Sequence, residues 1–195
     1  MSLTSLNKLQ PLPVCGVVLA GGQGSRMGGQ DKGWVVYQQQ PLIKQIINRL
    51  APQVSDLIIN ANRNLDDYST LGYPVITDIE AGFHGPLMGI LSGLKASTQE
   101  WTLFVPCDGP FLPKDLALRL YLAATEQNCD IAVASDGDNL QPVVVLLRTS
   151  LAPQLQQAIA KGERKPRRWY AEVGSCRVVF SSQSLRNFNK LDEML

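Results

Sequence analysis

The chain has 195 residues, 45% hydrophobic and 18% charged, with 18 Lys+Arg against 17 Asp+Glu and a net charge of +1. Such a composition excludes a disordered chain, and it excludes a nucleic-acid binder that works through a general basic field; anionic partners have to be held by local groups. Cys15, Cys107, Cys129 and Cys176 form no Cys-x-x-Cys pair, the lone His84 lacks metal-ligand spacing, and no apolar run approaches the ~18 residues of a membrane span, so core thiols in a reducing, cytoplasmic compartment are expected.

Residues 1–13 are polar, dotted with leucine and end in Pro11 and Pro13, without the basic start and apolar centre of a signal peptide. They are expected to form a flexible extension, with residues 14–195 as a single domain. The run 14–19 reads as a buried strand, followed by a helix face of Leu42, Ile46, Ile47 and Leu50. Strands are expected at 56–60 and 74–77. Leu87, Ile90, Leu91 and Leu94 repeat at helical spacing behind Pro86, which is tolerated as a first helical residue. A strand at 101–106 and a helix at 115–126 come next. Strands at 131–134 and 143–147 flank the turn residues Asp136, Gly137, Asp138 and Asn139. A helix at 151–161 and a late strand at 177–180 complete the pattern.

Strand–helix alternation of this kind predicts a three-layer, Rossmann-like α/β domain, with a mostly parallel sheet and helices on both faces. Ligands of such sheets sit beyond the carboxyl ends of the strands. That rule brings together the loop after the first strand, residues 21–33, and Cys107-Asp108-Gly109-Pro110. The first loop is crowded with Gly21, Gly22, Gly24, Gly28, Gly29 and Gly33, and holds Arg26 and Lys32. Glycine lets a backbone approach a ligand closely, and successive N–H groups can wrap a polyphosphate. A plain surface turn is the alternative, but turns seldom carry so many glycines and two cations directly after a buried strand. The spacing is neither that of a P-loop nor Gly-x-Gly-x-x-Gly.

The run Val17-Val18-Leu19-Ala20-Gly21-Gly22-Gln23-Gly24-Ser25-Arg26-Met27-Gly28-Gly29-Gln30-Asp31-Lys32 resembles the signature of sugar-phosphate and cofactor nucleotidyltransferases, and is most similar to molybdenum cofactor guanylyltransferases. The likeness continues through Asn60-Ala61-Asn62-Arg63, Asp78, Gly85-Pro86-Leu87, Gly89-Ile90, Pro106-Cys107-Asp108-Gly109-Pro110-Phe111, Gln141-Pro142, Gly162-Glu163-Arg164 and Asn187-Phe188-Asn189. It spans residues 14–195. Cytidylyltransferases for the same cofactor look similar but have Ala-Ala-Gly in place of Ala20-Gly21-Gly22. Three departures fall in the later half. Gln141-Pro142 stands where the family has His-Pro. The tail after Asn187-Phe188-Asn189 differs. Lys165-Pro166-Arg167-Arg168 stands where the family has a helix.

The resemblance implies a glycosyltransferase-A-like nucleotidyltransferase fold, with an N-terminal half for GTP and a C-terminal half for molybdopterin. It implies transfer of GMP from GTP to the terminal phosphate of molybdopterin, with release of pyrophosphate and with Mg²⁺ as cofactor. Leu19, Ala20, Gly21, Gly22, Lys32, Asn60, Asp78 and Asp108 would form the GTP site. Asp108 would hold Mg²⁺, Lys32 would neutralise phosphate charge, and Arg26 would steady the departing pyrophosphate. Plainer readings stand beside these: Asp108 as a helix cap, Asn60 and Asp78 as strand-end and loop caps, and Asn187 with Asn189 as a loop-cap pair rather than part of the metal or phosphate shell. Gly85 and the helix start at Pro86 offer N–H groups to a phosphate, or simply begin a helix. Arg63, Arg164, Lys165, Arg167 and Arg168 either hold the anionic pterin or, for the last three, form a solvated basic face.

Two other activities fit the residues less well. One is a different small nucleotidyltransferase, including a cytidylyltransferase for the same cofactor; the other is a non-catalytic nucleotide-binding module, which would have no use for both Lys32 and Asp108. No nucleic-acid or membrane partner is expected, and the chain is taken as a monomer or weak oligomer open to transient contacts with proteins that make or accept the cofactor.

Overall fold

A computed structural model describes residues 12–21, 31–80 and 85–188. The element order is β1 (Leu12–Leu19), β2 (Val36–Tyr37), β3 (Gln40–Pro41), α1 (Leu42–Leu50), β4 (Val54–Asn60), α2 (Leu65–Ser69), β5 (Val75–Ile76) and α3 (Pro86–Ala96), then β6 (Trp101–Pro106), α4 (Leu116–Glu126), β7 (Ile131–Ser135), β8 (Leu140–Arg148), α5 (Ala152–Ala160), α6 (Pro166–Val173) and β9 (Cys176–Val179). Among the described residues, seven strands form one sheet in the order β5-β4-β1-β6-β8-β7-β9, and β2 pairs with β3 in a separate hairpin. The sheet is mostly parallel, as expected; β8 alone runs against its neighbours β6 and β7.

Strand side chains alternate between the two faces, and each face is covered by helices. Val14 and Val18 of β1 point to one face, where Ile43, Ile46 and Leu50 of α1 and Leu116 and Leu120 of α4 pack. Cys15 and Val17 point to the other, against Leu87, Ile90 and Leu94 of α3, Leu155 and Ile159 of α5, and Trp169 and Tyr170 of α6. All four cysteines are free, with Cys15, Cys107 and Cys176 buried. No helix among the described residues is long and apolar enough to cross a membrane.

Several boundaries differ from expectation. β1 begins at Leu12 and takes in Pro13, although it is a central strand. Proline cannot donate to a ladder, and the register against β4 shifts between Leu12 and Cys15, so the irregularity absorbs it. The β2–β3 hairpin and α2 were not expected; both are too short to show a periodic pattern. Pro166 opens α6 as its first residue, so Arg167 and Arg168 are carried at a helix start.

Candidate active site

The carboxyl ends of four parallel strands lie in one row. Leu19 is in register with Asn60 and with Pro106, and Asn60 with Ile76. The chain moves outward from β1 to β4 and β5, then crosses to the opposite side of β1 with β6. That reversal opens a crevice at the strand ends, the place where open α/β sheets bind ligands. Leu19 and Ala20 form its floor. The Leu19 carbonyl accepts from the Cys107 N–H at 3.1 Å, and the Ala20 N–H donates to the Asn60 carbonyl at 2.8 Å.

Lys32 and Asp108 meet across this crevice. The Lys32 Nζ lies 2.9 Å from Asp108 Oδ2, with the two side chains 23% and 14% exposed. Asp108 Oδ1 is buried and finds no donor among the described residues. A shielded carboxylate oxygen without a donor suits a hard cation, and Mg²⁺ takes one or two carboxylates together with phosphate oxygens and waters. Among the described residues no group of three or more His, Cys, Asp or Glu could hold a metal, so a metal here would draw on Asp108 and on its substrate. The Asp108 carbonyl accepts from the Phe188 N–H at 2.9 Å, and a Cβ at Gly109 would come within 2.8 Å of Asn187 Oδ1. Asn187 is thus packed across Gly109, beside Asp108. The plainer expectation that Asp108 caps a helix is not met: α4 starts at Leu116, with Asp115 in the cap position.

On the other side of β1, Asn60, Asn62 and Asp78 form one hydrogen-bonded group. Asn60 Nδ2 donates to Asp78 Oδ1 at 3.1 Å and Asn62 Nδ2 to Asp78 Oδ2 at 2.8 Å, while the Asp78 N–H donates to Asn62 Oδ1 at 2.9 Å. Gly21 closes the group, because a Cβ there would lie 2.8 Å from Asn62 Nδ2. Asn60 is only 2% exposed. It is therefore placed to orient Asp78, which is half-buried, rather than to present its own edge. Asn62 had no expected role, yet it makes the shorter of the two bonds. No periodic signal marks it, because it lies beyond the end of β4.

Asp31, the residue before Lys32 in this loop, also had no expected role. Its carboxylate is 9% exposed and accepts from the Tyr68 hydroxyl at 2.6 Å, Asn64 Nδ2 at 3.0 Å and the Gly33 N–H at 3.2 Å. Arg63, expected on the pterin side, lies 3.7 Å from Asp31. Arg26, Gly22, His84 and Asn189 lie outside the described residues.

The basic segment before α6 is more committed than its sequence suggests. The Arg164 guanidinium donates to the carbonyls of Ile159 and Glu163, closing the end of α5. Arg167 donates to the Leu140 carbonyl, and Arg168 pairs with Glu163 and Glu172. Glu163 accepts from the N–H groups of Lys165 and Arg164, which hold its carboxyl below the usual range. Among the described residues the Lys165 ammonium makes no ion pair. The backbone of this segment reaches the start of α3: a Cβ at Gly85 would lie 3.4 Å from the Arg164 carbonyl. Near Asn187, an open cleft of about 500 Å³ is lined by Asp136, Gln141, Ser182, Leu185 and Arg186. Gln141, which stands where the family has histidine, donates to Asp136 at 3.3 Å.

Comparison with known proteins follows the same lines. A family model described as a MobA-like NTP transferase domain matches residues 16–177. A molybdenum cofactor guanylyltransferase from Shewanella putrefaciens is 43% identical over 185 residues, covering 94% of this chain and 95% of the relative. One from Pasteurella multocida is 44% identical over 180 residues, covering 91% of this chain and 95% of the relative. Among solved structures, molybdopterin-guanine dinucleotide biosynthesis protein A from Archaeoglobus fulgidus superposes with a TM-score of 0.75 at 22% identity, covering 92% of this chain and 94% of that one. A 2-C-methyl-D-erythritol 4-phosphate cytidylyltransferase from Thermus thermophilus gives 0.67 at 13% identity, covering 91% and 94%. At those identities the structural likeness speaks for the fold alone.

Proposed function

The chain belongs to the family of MobA-like NTP transferase domains, and from that premise we propose that it transfers GMP from GTP to the terminal phosphate of molybdopterin, with Mg²⁺ as the cofactor. The product is molybdopterin guanine dinucleotide, and pyrophosphate leaves. The observation that carries this reading is the meeting of Lys32 and Asp108 at 2.9 Å across the crevice between β1 and β6. A cation and a carboxylate side by side at the mouth of a glycine-rich loop are the groups that a triphosphate with its metal needs.

The reaction requires no protein nucleophile. An oxygen of the molybdopterin phosphate attacks the α-phosphorus of GTP, a new P–O bond forms, and the bond to the bridging oxygen of pyrophosphate breaks. The attacking phosphate is largely ionised near neutral pH, so no general base is needed. The protein's work is to position the reactants and to stabilise charge. Lys32 faces the phosphates, and Arg26 is assigned to the leaving pyrophosphate. Bound Mg²⁺ would supply charge neutralisation at the phosphate oxygens, held by Asp108. The unpartnered Oδ1 and the neighbouring Asn187 support that assignment.

Asp78 is assigned to the guanine edge, accepting from N1–H and the 2-amino group. Each carboxylate oxygen keeps a second lone pair after taking the Asn60 and Asn62 donors, so the group can hold a base without giving up its supports. Leu19, Ala20, Gly21 and Gly22 are assigned to the loop side of the nucleotide. Molybdopterin is assigned to the later half, where the cleft beside Asn187 opens. A cytoplasmic location accompanies this reading, in keeping with free thiols and a GTP substrate.

The direct test is product identity. Incubation with GTP, Mg²⁺ and molybdopterin is expected to yield, by mass spectrometry, the pterin with one added GMP. Recovery of unmodified pterin under conditions where the protein binds GTP would count against the reading.

A further inference from the structure

The resemblance assigns work to Lys32 but none to the residue before it. Asp31 is nonetheless among the few buried charged side chains of the described residues. A buried carboxylate is costly unless it is well satisfied, and this one is: one oxygen takes the Tyr68 hydroxyl and the Gly33 N–H, while the other takes Asn64 and lies by Arg63. Far less would cap the three-residue turn Lys32–Trp34 that Asp31 precedes.

The partners come from one segment. Asn64 adopts a left-handed backbone, φ +51, at the start of α2, and Tyr68 lies fully buried within α2, its ring 5.4 Å from that of Trp34. Gly33 makes room for the bond, because a Cβ there would overlap the Tyr68 hydroxyl. Segment 60–68 therefore supports Asp78 at one end, through Asn60 and Asn62, and grips the Lys32 loop at the other. Cys107 lies next to this cluster. Burial pushes its thiol up, and the Asp108 and Asp31 carboxylates add to the rise. Burial likewise pushes the Tyr68 phenol up, with smaller contributions from Cys107 and Asp31, which keeps the hydroxyl a donor.

We propose that Asp31, braced by Tyr68, is a positioning residue that holds Lys32 against Asp108 and the substrate phosphates. The inference rests on the assignment of Lys32 made above. A lysine ammonium on a flexible four-carbon stem stabilises a transition state only if its backbone is fixed, and a misplacement of an ångström is enough to cost rate. The brace fixes the backbone at the residue before Lys32 and, through the Gly33 N–H, at the residue after it.

The experiment is a double-mutant cycle of Tyr68→Phe and Lys32→Ala, with kcat from pyrophosphate release, GTP affinity from calorimetry, and Tm. Tyr68→Phe is expected to lower kcat by about tenfold while GTP affinity changes less than about threefold, and to have no further effect on kcat once Lys32 is alanine. Asp31→Asn, which still offers an acceptor to Tyr68 and Gly33, is expected to keep a kcat between those of wild type and Asp31→Ala. A Tyr68→Phe variant with a lower Tm but an unchanged kcat would overturn the proposal, as would an equal fall in kcat in both backgrounds. If Lys32→Ala alone is fully active, the role of Lys32 fails and the brace with it. If Lys32→Ala is impaired and the cycle is additive, the brace alone fails.

Discussion

Lys32 and Asp108, 76 positions apart, lie with Nζ 2.9 Å from Oδ2. Each is the other's partner, and the contact lies where the chain, having added β4 and β5 on one side of β1, adds β6 on the other. Under the proposed function, a nucleotide with its metal would bring anionic oxygens to the lysine and a cation to the carboxylate.

Removal of either partner is expected to cost rate far more than stability. Lys32→Ala and Asp108→Asn should each lower kcat by ~10²–10³, the usual loss for one electrostatic contact to a transition state. The pair is only partly buried and should contribute on the order of 1 kcal/mol, so Tm should fall by no more than a few degrees. Steady-state kinetics alongside thermal melts will separate the two effects. Near-normal turnover at saturating Mg²⁺ would be the contrary result.

Asp78→Asn keeps the shape of the side chain and removes its negative charge. If Asp78 reads the guanine edge, the variant should bind GTP at least about tenfold more weakly and lose most of the preference for GTP over ITP, which lacks the 2-amino group. Calorimetric titration with the two nucleotides measures both. A uniform weakening that leaves the preference intact would place Asp78 away from the base.

Gly33→Ala puts a methyl group into the space of the Tyr68 hydroxyl. The buried ring cannot swing aside, so a loss of about 1–3 kcal/mol is expected, readable as a lower denaturation midpoint in urea. An unchanged midpoint would mean that Tyr68 relocates freely.

Alkaline pH should weaken the fold through its buried thiols. Burial raises Cys15 from 9.0 to about 11, and burial with the neighbouring Cys129 raises Cys176 from 9.0 to about 12. Below pH 9 both are protonated in the folded and unfolded chains, and their contribution is fully present. As pH rises from about 9 through about 12, the unfolded chain loses these protons first, so the contribution is progressively lost. Tm should therefore fall between about pH 9 and about pH 12, and less so in a Cys15→Ala, Cys176→Ala variant. A flat profile over that range would contradict the burial of these thiols.

The basic corner before α6 separates into two roles. Arg164→Ala should lower stability by ~0.5–1 kcal/mol, because its guanidinium closes the end of α5. Lys165→Ala should leave stability unchanged and raise the KM for molybdopterin, with GTP affinity unaffected. An equal loss of GTP binding would move this corner to the nucleotide side.

The sheet, both helical layers and the meeting of the two loops were legible because each rests on a local pattern: apolar runs, period-3.6 spacing and glycine beside a strand end. What the sequence hid is of another kind. Asp31, Asn62 and Tyr68 act through partners brought near by the fold, and nothing in their immediate neighbours marks them. Tyr68 sits in a helix of five residues, too short to announce itself. The two backbone carbonyls that accept from Arg164 leave no trace in a sequence. Pro166 starts a helix, since its missing N–H costs nothing in the first turn.

The most direct test of the central claim is pyrophosphate release by the wild-type chain with Mg²⁺, molybdopterin and each of the four common nucleoside triphosphates in turn. GTP is expected to support turnover, and ATP, CTP and UTP to fall below it by about a hundredfold or more, because a site built around guanine's polar edge leaves groups unpaired with the other bases. Turnover with CTP equal to or above that with GTP would contradict the assignment of Asp78 and of guanylyl transfer together.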